Sequence, residues 1–455
     1  MGFFEKILFN LPEVASPTQK RLAFKEKLKW TLLILLLFYV LGLIPLYGLG
    51  HNAMLQFEFL SVILGASFGS IISLGIGPIV TASIVLQLLN GSGIVKFDLT
   101  THDGKKRFQG IQKVLAIGFI ILEGVIYVGM GGLAPATGVP GSILVFQLFL
   151  GGVLIMFMDE VVSKWGFGSG ISLFIAAGVS QTIFLRMLNP LPSPTNPTIA
   201  VGAIPALVQS LGRGDPTTAG LMLAGILATV LVFLVAVYTQ AMKVEIPLSF
   251  GRIRGHGIRW PLNFFYTSNI PVILTAALVA NVQLFARLLD NWGFSILGTF
   301  SGNSPVSGLA SWLYAPNVLE QIIKGTFTFS MVGQSMAYLL FFMCGAVLFS
   351  FFWVQTAGLD ARSQAKQIMS SGLQIPGFRK DQRVLERLLQ RYIGPLTIMG
   401  GLAVGLLAGV ADLTGAFGSG TGILLTVMIV YKLYEEIAQQ HMMDMNPMMR
   451  KFMGG

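Results

Sequence analysis

The tetrapeptide Phe-Gly-Ser-Gly occupies residues 167–170 and recurs at residues 417–420. In both places it separates a polar stretch from a long apolar run. A second echo links Pro-Ile-Val at residues 78–80 with Pro-Val-Ile at residues 271–273. Short motifs that recur at matching places in two halves of a chain are typical of an internally duplicated fold. These repeats therefore predict two related halves.

The composition indicates whether the folded chain lies in water or in a membrane. Of the 455 residues, 54% are hydrophobic and only 11% are charged, which would leave a water-soluble globule with too little polar surface. The chain is therefore predicted to be an integral membrane protein. Its single cysteine, Cys344, provides neither a disulfide framework nor a Cys-His metal cluster, and we expect no cofactor.

Ten apolar runs approach the roughly 20 helical residues that cross a bilayer. They are predicted at residues 30–47, 71–95, 113–133, 143–158, 171–187, 218–242, 261–284, 327–354, 393–410 and 421–435. Lysine and arginine are concentrated before the first run, in every second link and after the last run. By the positive-inside rule, both termini are predicted to be cytoplasmic, and we expect the chain to lie in the cell membrane.

Five spans in each half force the second half to enter the membrane from the opposite side, so an axis in the membrane plane should relate the halves. The sequence therefore predicts an all-α membrane protein of ten transmembrane helices in two inverted halves of five. In chain order, we expect an amphipathic segment 1–29, a first half 30–187, an external hinge loop 188–217, a second half 218–435 with basic cytoplasmic loops 243–260 and 355–392, and a cytoplasmic tail 436–455.

Residues 57–70 are apolar and helix-capable but too short to span, and they precede the second run on the external side. A short helix that dips into the membrane is tolerated only where protein or a cavity surrounds it. An interfacial helix on the outer surface is the alternative. The same segment contains Gly-x-Ser-x-Gly around Ser67, but a hydrolase elbow needs a preceding strand and a positioned base. An intramembrane serine hydrolase is therefore a weak alternative.

The glycine-rich stretches 166–170 and 415–422 invite a phosphate-binding interpretation. No lysine follows them in the Walker pattern, so close helix crossing, with Ser169 or Ser419 as helix caps, is the better interpretation. Glu123 is a carboxylate in the middle of a span, where a charge costs about 2.5 to 3.5 kcal/mol. It leaves open an ion-coupled secondary transporter built from inverted repeats, the main rival hypothesis.

Several stretches resemble the SecY family, the channel subunit of the general secretory translocon, in its archaeal form. They are Lys-Glu-Lys-Leu-Lys-Trp at 25–30, Leu-Gly-Ile-Gly-Pro-Ile-Val-Thr-Ala at 74–82, Gly-Ser-Gly-Ile at 168–171, Val-Glu-Ile-Pro-Leu at 244–248, Ser-Asn-Ile-Pro-Val-Ile-Leu at 268–274, Gly-Leu-Asp at 358–360 and Gly-Thr-Gly-Ile-Leu-Leu at 420–425. The resemblance implies a passive protein-conducting channel with an hourglass pore and no catalytic residues.

The resemblance also implies an aliphatic ring that closes the pore, formed by Ile76, Val80, Ile171, Ile175, Ile273 and Leu425. An apolar constriction dewets and blocks ions, yet it forms no directional bonds and so yields to a passing chain of any sequence. Without the family match, any one of these residues is as readily an ordinary packing residue.

Three further sets of residues follow from the resemblance. Residues 57–70 would form a plug, with inward contacts from Leu60, Ile63, Leu64 and Ser67. Spans two and three would meet spans seven and eight at a lateral gate toward lipid, with Thr81, Glu123 and Asn269. The loops would dock the ribosome, through its RNA and protein, with Arg252, Arg254, Arg379 and Lys380.

The implied partners are small single-span subunits of the SecE and Sec-beta types, the ribosome, secretory or nascent polypeptides with signal sequences, and membrane lipid. The charge of the two basic loops is consistent with a polyanionic partner such as RNA or anionic lipid. The methionine-rich end of the chain, residues 442–453, has no implied role, and we expect a mobile cytoplasmic tail.

Overall fold

The computed structural model describes residues 12–19, 22–51, 67–91, 94–95, 97, 102–129, 131–193, 197–250, 257–267, 270–301, 304–370, 373–374, 381–418 and 420–445. Within these ranges the chain is mostly helical. Seven of the described helices are long and apolar enough to cross a membrane. The chain is thus a multi-pass membrane protein of the all-α class.

The described helices of the first half are α1 Phe24–Gly42, α2 Gly77–Gly91, α3 His102–Gly129, α4 Gly141–Trp165, α5 Gly170–Leu188 and α6 Ala203–Arg213. The second half contains α7 Pro216–Gln240, α8 Ile270–Asn291, α9 Gly308–Trp312, α10 Val318–Ile323, α11 Phe329–Thr356, α12 Ala361–Ser370, α13 Gln382–Leu413 and α14 Gly420–Met445. The seven apolar spans are α3, α4, α5, α7, α8, α11 with α12, and α13. Helices α1, α2 and α14 overlap the other three predicted spans, so the count of ten stays a prediction.

Two of the basic stretches form a small sheet. The strands are β1 Lys243–Phe250, β2 Gly257–Asn263 and β5 Leu373–Gln374, in the order β2-β1-β5. The predicted start of span seven at residue 261 is wrong, because Pro261 lies in β2 opposite Glu245 and α8 begins only at Ile270. Short apolar runs do not distinguish strand from helix by hydrophobicity alone.

The predicted hinge loop contains the regular helix α6. Its buried face carries Ala203, Ala206 and Ser210, at helical spacing, and the helix ends at Gly214 in the left-handed conformation, with a φ of 72°. Helix α6 packs on α5 and α7 and so lies between the halves. A second short hairpin, β3 Phe300–Ser301 with β4 Ser304–Pro305, lies between α8 and α11.

The repeated tetrapeptide has the same structural partner in each half. The backbone N–H of Phe167 donates a 3.0 Å hydrogen bond to Oγ1 of Thr31 in α1, and that of Phe417 donates a 3.0 Å bond to Oγ1 of Thr229 in α7. Since α1 and α7 are the first long helices of their halves, the contacts show that the sequence echo is also a structural one.

The two helices that follow the tetrapeptides run in opposite directions. The start of α5 lies beside the distal part of α14, where a Cβ on Gly168 would be 3.8 Å from Glu436 Oε2. The start of α14 lies beside the distal part of α5, where a Cβ on Gly418 would be 3.1 Å from Ile183 Cγ1. This antiparallel pairing is what inverted halves require.

The outer surface of the bundle is apolar. On α7, for example, the side chains of Leu227, Leu231 and Leu234 are each about 60% exposed. Continuous exposed apolar surface of this kind is costly in water and typical of contact with lipid or a partner.

Candidate functional site

The six predicted ring residues lie in two apolar clusters that meet at Ile273. The first, here the interhalf cluster, has Val80, Ile84, Leu274 and Phe349 as its buried members, with Ile76, Ile171 and Ile273 packed against them. Leu425 is a buried member of the second, the core of the second half, against which Ile175 and Ile273 pack. The fold therefore gathers side chains from α2, α5, α8 and α14 around one region, and their role as a pore ring stays a prediction.

The echoed prolines begin helices and do not interrupt them. Pro78 is the second residue of α2 and Pro271 is the second residue of α8. Proline is tolerated in a first helical turn because the N–H it lacks would have no partner within the helix there. Residues 71–76 form turns, with Gly75 at a φ of 55°, so the predicted second span begins later than its apolar run.

Two aspartates that the sequence interpretation missed cap the helices α5 and α14. Oδ1 of Asp159 accepts a 2.9 Å hydrogen bond from the Ile171 N–H, and Oδ1 of Asp412 accepts a 2.8 Å bond from the Thr421 N–H. The proposed cap Ser169 makes no side-chain capping bond, because its hydroxyl points to Asp159 Oδ1, 3.5 Å away. The other proposed cap, Ser419, lies outside the described residues.

The predicted lateral gate has a polar centre. Helix α2 packs on α3 within its own half and on α8 and α11 of the other half. Thr81 Oγ1 lies 3.4 Å from Oε1 of the buried Glu123, and Asn281 Nδ2 donates a 2.9 Å hydrogen bond to Thr81 Oγ1. The polar contact thus runs from α3 through α2 to α8, across the boundary between the halves.

The third predicted gate residue, Asn269, lies outside the described residues. Asn281 is the partner that the sequence interpretation missed. It was detectable as a polar side chain inside an otherwise apolar stretch of the α8 sequence, since polar groups within spans usually have a partner.

Most predicted plug residues, Leu60, Ile63 and Leu64, lie outside the described residues. Ser67 is described, and its backbone carbonyl accepts hydrogen bonds from the hydroxyls of Ser70 and Ser73 at 2.6 and 3.2 Å. Residues 68–69 and 71–76 form turns, and Ser70 forms a β-bridge with Pro45. A hydrolase elbow would need a helix directly after the serine, so the turns contradict the serine hydrolase alternative.

The predicted docking residues Arg252, Arg254, Arg379 and Lys380 also lie outside the described residues. The strands that precede them are described, and they are neighbours in the sheet. Phe250 at the end of β1 pairs with Leu373 of β5. The chain therefore enters both basic segments from adjacent strands.

An apolar groove of about 680 Å³ lies between α5, α7 and α14. Its walls include Phe184, Leu188, Phe233, Val430 and Tyr434, whose side chains are roughly half exposed or more. The groove runs beside the contact between α5 and α14, which belong to different halves. Sequence reasoning did not predict this surface.

Among the described residues, no group of three or more His, Cys, Asp or Glu side chains is placed to hold a metal ion. The fold and this site define a multi-pass membrane protein whose halves meet through apolar clusters and through polar contacts such as that of Asn281 with Thr81. The SecY family model matches residues 70–434. The chain belongs to the SecY family.

Similar proteins support this assignment over nearly the whole chain. The protein translocase subunit SecY of Methanothermobacter thermautotrophicus is 49% identical, over 99% of this chain and 98% of the relative. A solved SecY structure, described as showing that the plug domain stabilises the closed state of the translocation channel and maintains a membrane seal, has a TM-score of 0.84 and 42% identity, over 96% of this chain and 97% of that one.

A second solved structure, Sec61 in the canine ribosome-channel complex from the endoplasmic reticulum, has a TM-score of 0.80. Its identity is 42%, and the match covers 96% of this chain and 97% of that one. Both structures share 42% sequence identity with this chain over 96% of its length. They place this chain beside translocation channels and not beside transporters of small solutes.

Proposed function

We propose that this chain is a passive protein-conducting channel, which translocates secretory polypeptides across the membrane and releases transmembrane segments into lipid through a lateral gate. The observation that carries the proposal is the match to translocation-channel structures over 96% of the chain. The driving energy comes from a partner on the cytoplasmic side, and the chain itself supplies the path. It functions in the cell membrane with both termini cytoplasmic, as the distribution of basic residues indicates.

The seal of the channel is the aliphatic ring. Ile76, Val80, Ile171 and Ile273 contribute to the interhalf cluster, and Ile175 and Leu425 extend it into the core of the second half. Because such side chains offer no hydrogen bonds to water, a closed ring dewets and stops ions. Residues 57–70 fill the external funnel as a plug, as in the SecY relative for which a plug is described.

The lateral gate lies where α2 and α3 meet α8 and α11. Apolar side chains there exchange contacts with lipid at little cost, whereas the contact between Asn281, Thr81 and Glu123 must be broken. A hydrophobic signal sequence gains free energy by partitioning into lipid and so offsets that loss. The gate then also lets transmembrane segments leave sideways.

Ribosome docking is assigned to the two basic segments that follow β1 and β5. Their described flanks are adjacent strands, which favours one shared surface. Arg252, Arg254, Arg379 and Lys380 would contact RNA phosphates there by charge-assisted bonds. A related channel, canine Sec61, is known in a ribosome complex.

A small single-span subunit of the SecE type fits the apolar groove between α5, α7 and α14. The groove has apolar walls against which a membrane helix can pack, and it lies beside the contact between α5 and α14, which belong to different halves. A helix seated there clamps the halves at that seam. The Sec-beta type subunit is expected as the second partner, and no described surface favours a place for it.

The proposed pore is tested with an arrested secretory chain that carries a photoreactive or thiol-reactive probe. In a Cys344→Ala background, Ile175→Cys and Leu425→Cys should both cross-link to the arrested chain. Leu234→Cys, on the exposed apolar surface of α7, is the control and should not. Absence of cross-links at both pore positions would overturn the proposal.

Docking is tested separately by charge reversal. Arg252→Glu together with Arg379→Glu should weaken ribosome binding and make the remaining binding less sensitive to salt, since fewer phosphates are contacted. Arg213→Glu, at the end of α6 in the predicted external loop, is the matched control. Equal ribosome binding by both variants would contradict docking at the basic segments.

A further inference from the structure

We propose that Asp159 and Asp412 are positioning residues of the pore, each fixing the start of a helix that carries ring residues. The inference rests on the proposed function, because it assigns these aspartates a role in the seal. Asp159 lies in the last two turns of α4 and Asp412 in the last turn of α13. Neither side chain lines the proposed ring.

In the first half, the hydrogen bond ends on a ring residue. Asp159 Oδ1 accepts from the backbone N–H of Ile171, at 2.9 Å. Gly170 lets the two helices approach closely, since a Cβ there would lie 2.6 Å from Asp159 Cα. The end of α4 thus fixes where α5 begins.

In the second half, the contact is built from the same parts. Asp412 Oδ1 accepts from the Thr421 N–H at 2.8 Å, and Oδ2 accepts from the Thr421 hydroxyl and, at 2.8 Å, from the Tyr338 hydroxyl of α11. A Cβ on Gly420 would lie 1.9 Å from the carbonyl carbon of Ala411. The ring residue Leu425 follows four positions after Thr421.

The duplication argues against chance packing. The acceptor is an aspartate in both halves, the donor is the residue after the last glycine of the repeated tetrapeptide, and the distances differ by 0.1 Å. The sequence separations are nevertheless unequal, 12 residues in one half and 9 in the other. The geometry is therefore shared although the connecting loops differ in length.

A fixed helix start matters for a ring. The first N–H groups of a helix have no partner within it, so the start shifts easily unless an acceptor holds one of them. A shift of one residue turns every later side chain by about 100° around the axis, since an α-helix has 3.6 residues per turn. Ile175 and Leu425 would then turn away from the ring.

The test measures resting ion conductance of the purified full-length channel in planar bilayers. Asp159→Ala and Asp412→Ala are each expected to raise it about tenfold, a shift of about 1.4 kcal/mol in the closed-to-open equilibrium. Asp159→Asn and Asp412→Asn retain an oxygen acceptor and should stay near the wild-type conductance. Such a result would show that the seal depends on the capping hydrogen bond and not on the negative charge of the aspartates.

The matched control is Asp215→Ala. Asp215 caps α7 by accepting from the N–H groups of Thr217 and Thr218, but α7 carries no ring residue. The variant loses a helix cap and should not leak. Thr421→Pro is a second probe, because it removes the N–H donor at a first-turn position where proline is compatible with a helix, and it should leak like Asp412→Ala.

Two outcomes would overturn the proposal: Ala variants that leak no more than Asp215→Ala, or Asn variants that leak as much as the Ala variants. Should an Ala variant fail to assemble, Thr421→Pro decides, and a sealed Thr421→Pro channel would count against the cap. The arrested-chain cross-links at residues 175 and 425 test the channel itself. If the cross-links form but the Ala variants do not raise the ion conductance, the channel function stands and only the positioning role of the aspartates is refuted.

Discussion

Asn281 of α8 donates a 2.9 Å hydrogen bond to Oγ1 of Thr81 on α2, and it thereby joins the two halves of the bundle. Thr81 also lies 3.4 Å from the buried carboxyl of Glu123 on α3. The neighbouring interhalf cluster, with Val80 and Leu274, is apolar. At the proposed lateral gate, opening would replace apolar contacts by lipid contacts at little cost, so we expect the polar contact to supply much of the specificity of closure.

Replacing Asn281 by leucine should make the gate easier to open. Hydrogen bonds between membrane helices are worth about 0.6 kcal/mol on average, so we expect roughly a threefold shift toward the open gate. The measurement is export of a reporter whose signal sequence has been made less hydrophobic. Asn281→Leu should increase its export.

The control for the gate is Gln283→Leu on the same helix. Gln283 Nε2 donates a 3.0 Å hydrogen bond to the Leu313 carbonyl, which lies in the same half. The Gln283→Leu substitution therefore removes a polar contact of α8 within its own half and leaves the contact between the halves intact. Equal export by the two variants would refute a special role for the Asn281 contact.

The glycines at the starts of α5 and α14 should not tolerate alanine. Gly420→Ala places a Cβ 1.9 Å from the Ala411 carbonyl carbon, and Gly170→Ala places one 2.6 Å from Asp159 Cα. Forcing atoms into packed backbone costs about 1–3 kcal/mol or more. Both variants should lower the thermal unfolding temperature in detergent, measured by loss of the monodisperse size-exclusion peak.

Gly178→Ala is the matched substitution within α5. A Cβ at this position meets nothing within 4 Å. Since alanine is favoured over glycine in a helix interior by about 0.8–1 kcal/mol, this variant should be as stable as the wild type or more so. A loss of stability equal to that of Gly170→Ala would mean that the close contacts at the helix starts are not responsible.

Much of the helical layout was predictable because transmembrane helices are long apolar runs whose signal depends on local composition. The odd number of predicted spans in each half also predicted that α5 and α14 run in opposite directions, and the contacts of Gly168 and Gly418 show that they do. The predicted loops were less accurate. The β1-β2 hairpin was missed because Trp260 and Leu262 continue the apolar pattern toward α8 while pairing with Ile246 and Val244.

The partners of polar side chains were the least predictable part of the site. Asp159 and Asp412 lie near the ends of one helix each, and their role depends on which helix start packs against them. Nothing in the local sequence states that distance. Asn281 was visible as a polar residue within a span, but its pairing with Thr81 requires the α2–α8 contact, 200 residues apart in sequence.

The cap of α7 should give the protein a specific acid sensitivity. Hydrogen bonds from the hydroxyl of Thr218, then that of Thr217, and from their backbone N–H groups lower the pKa of Asp215 to about 2. An unfolded aspartate has a pKa of about 3.9. Because the folded pKa is lower, this carboxylate contributes stability above about pH 4, and the contribution is lost as the pH falls toward 2.

Comparing the wild type with Asp215→Asn measures this contribution. Asparagine retains an oxygen acceptor but has no charge to lose. The unfolding temperature of the wild type in detergent should exceed that of Asp215→Asn at pH 6, and the gap should shrink between pH 4 and pH 2.5. A gap that is constant over this range would show that the ionised form of Asp215 is not stabilising α7.

The segment before α1 is held against the last turns of α4 by charged side chains. Lys164 Nζ donates 2.6 Å hydrogen bonds to Glu13 Oε1 and to the Val14 carbonyl, and the Val14 N–H donates to Glu160 Oε2 at 2.9 Å. The hydrogen bond from Lys164 lowers the pKa of the Glu13 carboxyl, partly offset by burial. The contact is therefore strongest above the ordinary pKa of glutamate and weakens as the pH falls.

Lys164→Met retains the aliphatic stem and removes both donated bonds, so it should release this segment. The Glu13 side chain is largely exposed, which limits the stabilising free energy lost to about 1 kcal/mol. A change of about 1 kcal/mol shifts the equilibrium between the bound and the released segment about fivefold. Hydrogen exchange at residues 13–16, followed by mass spectrometry, should accelerate by that factor. Lys105→Met, at an exposed position on α3, is the control and should leave the exchange unchanged. Equal exchange in all three proteins would show that Lys164 does not hold the segment.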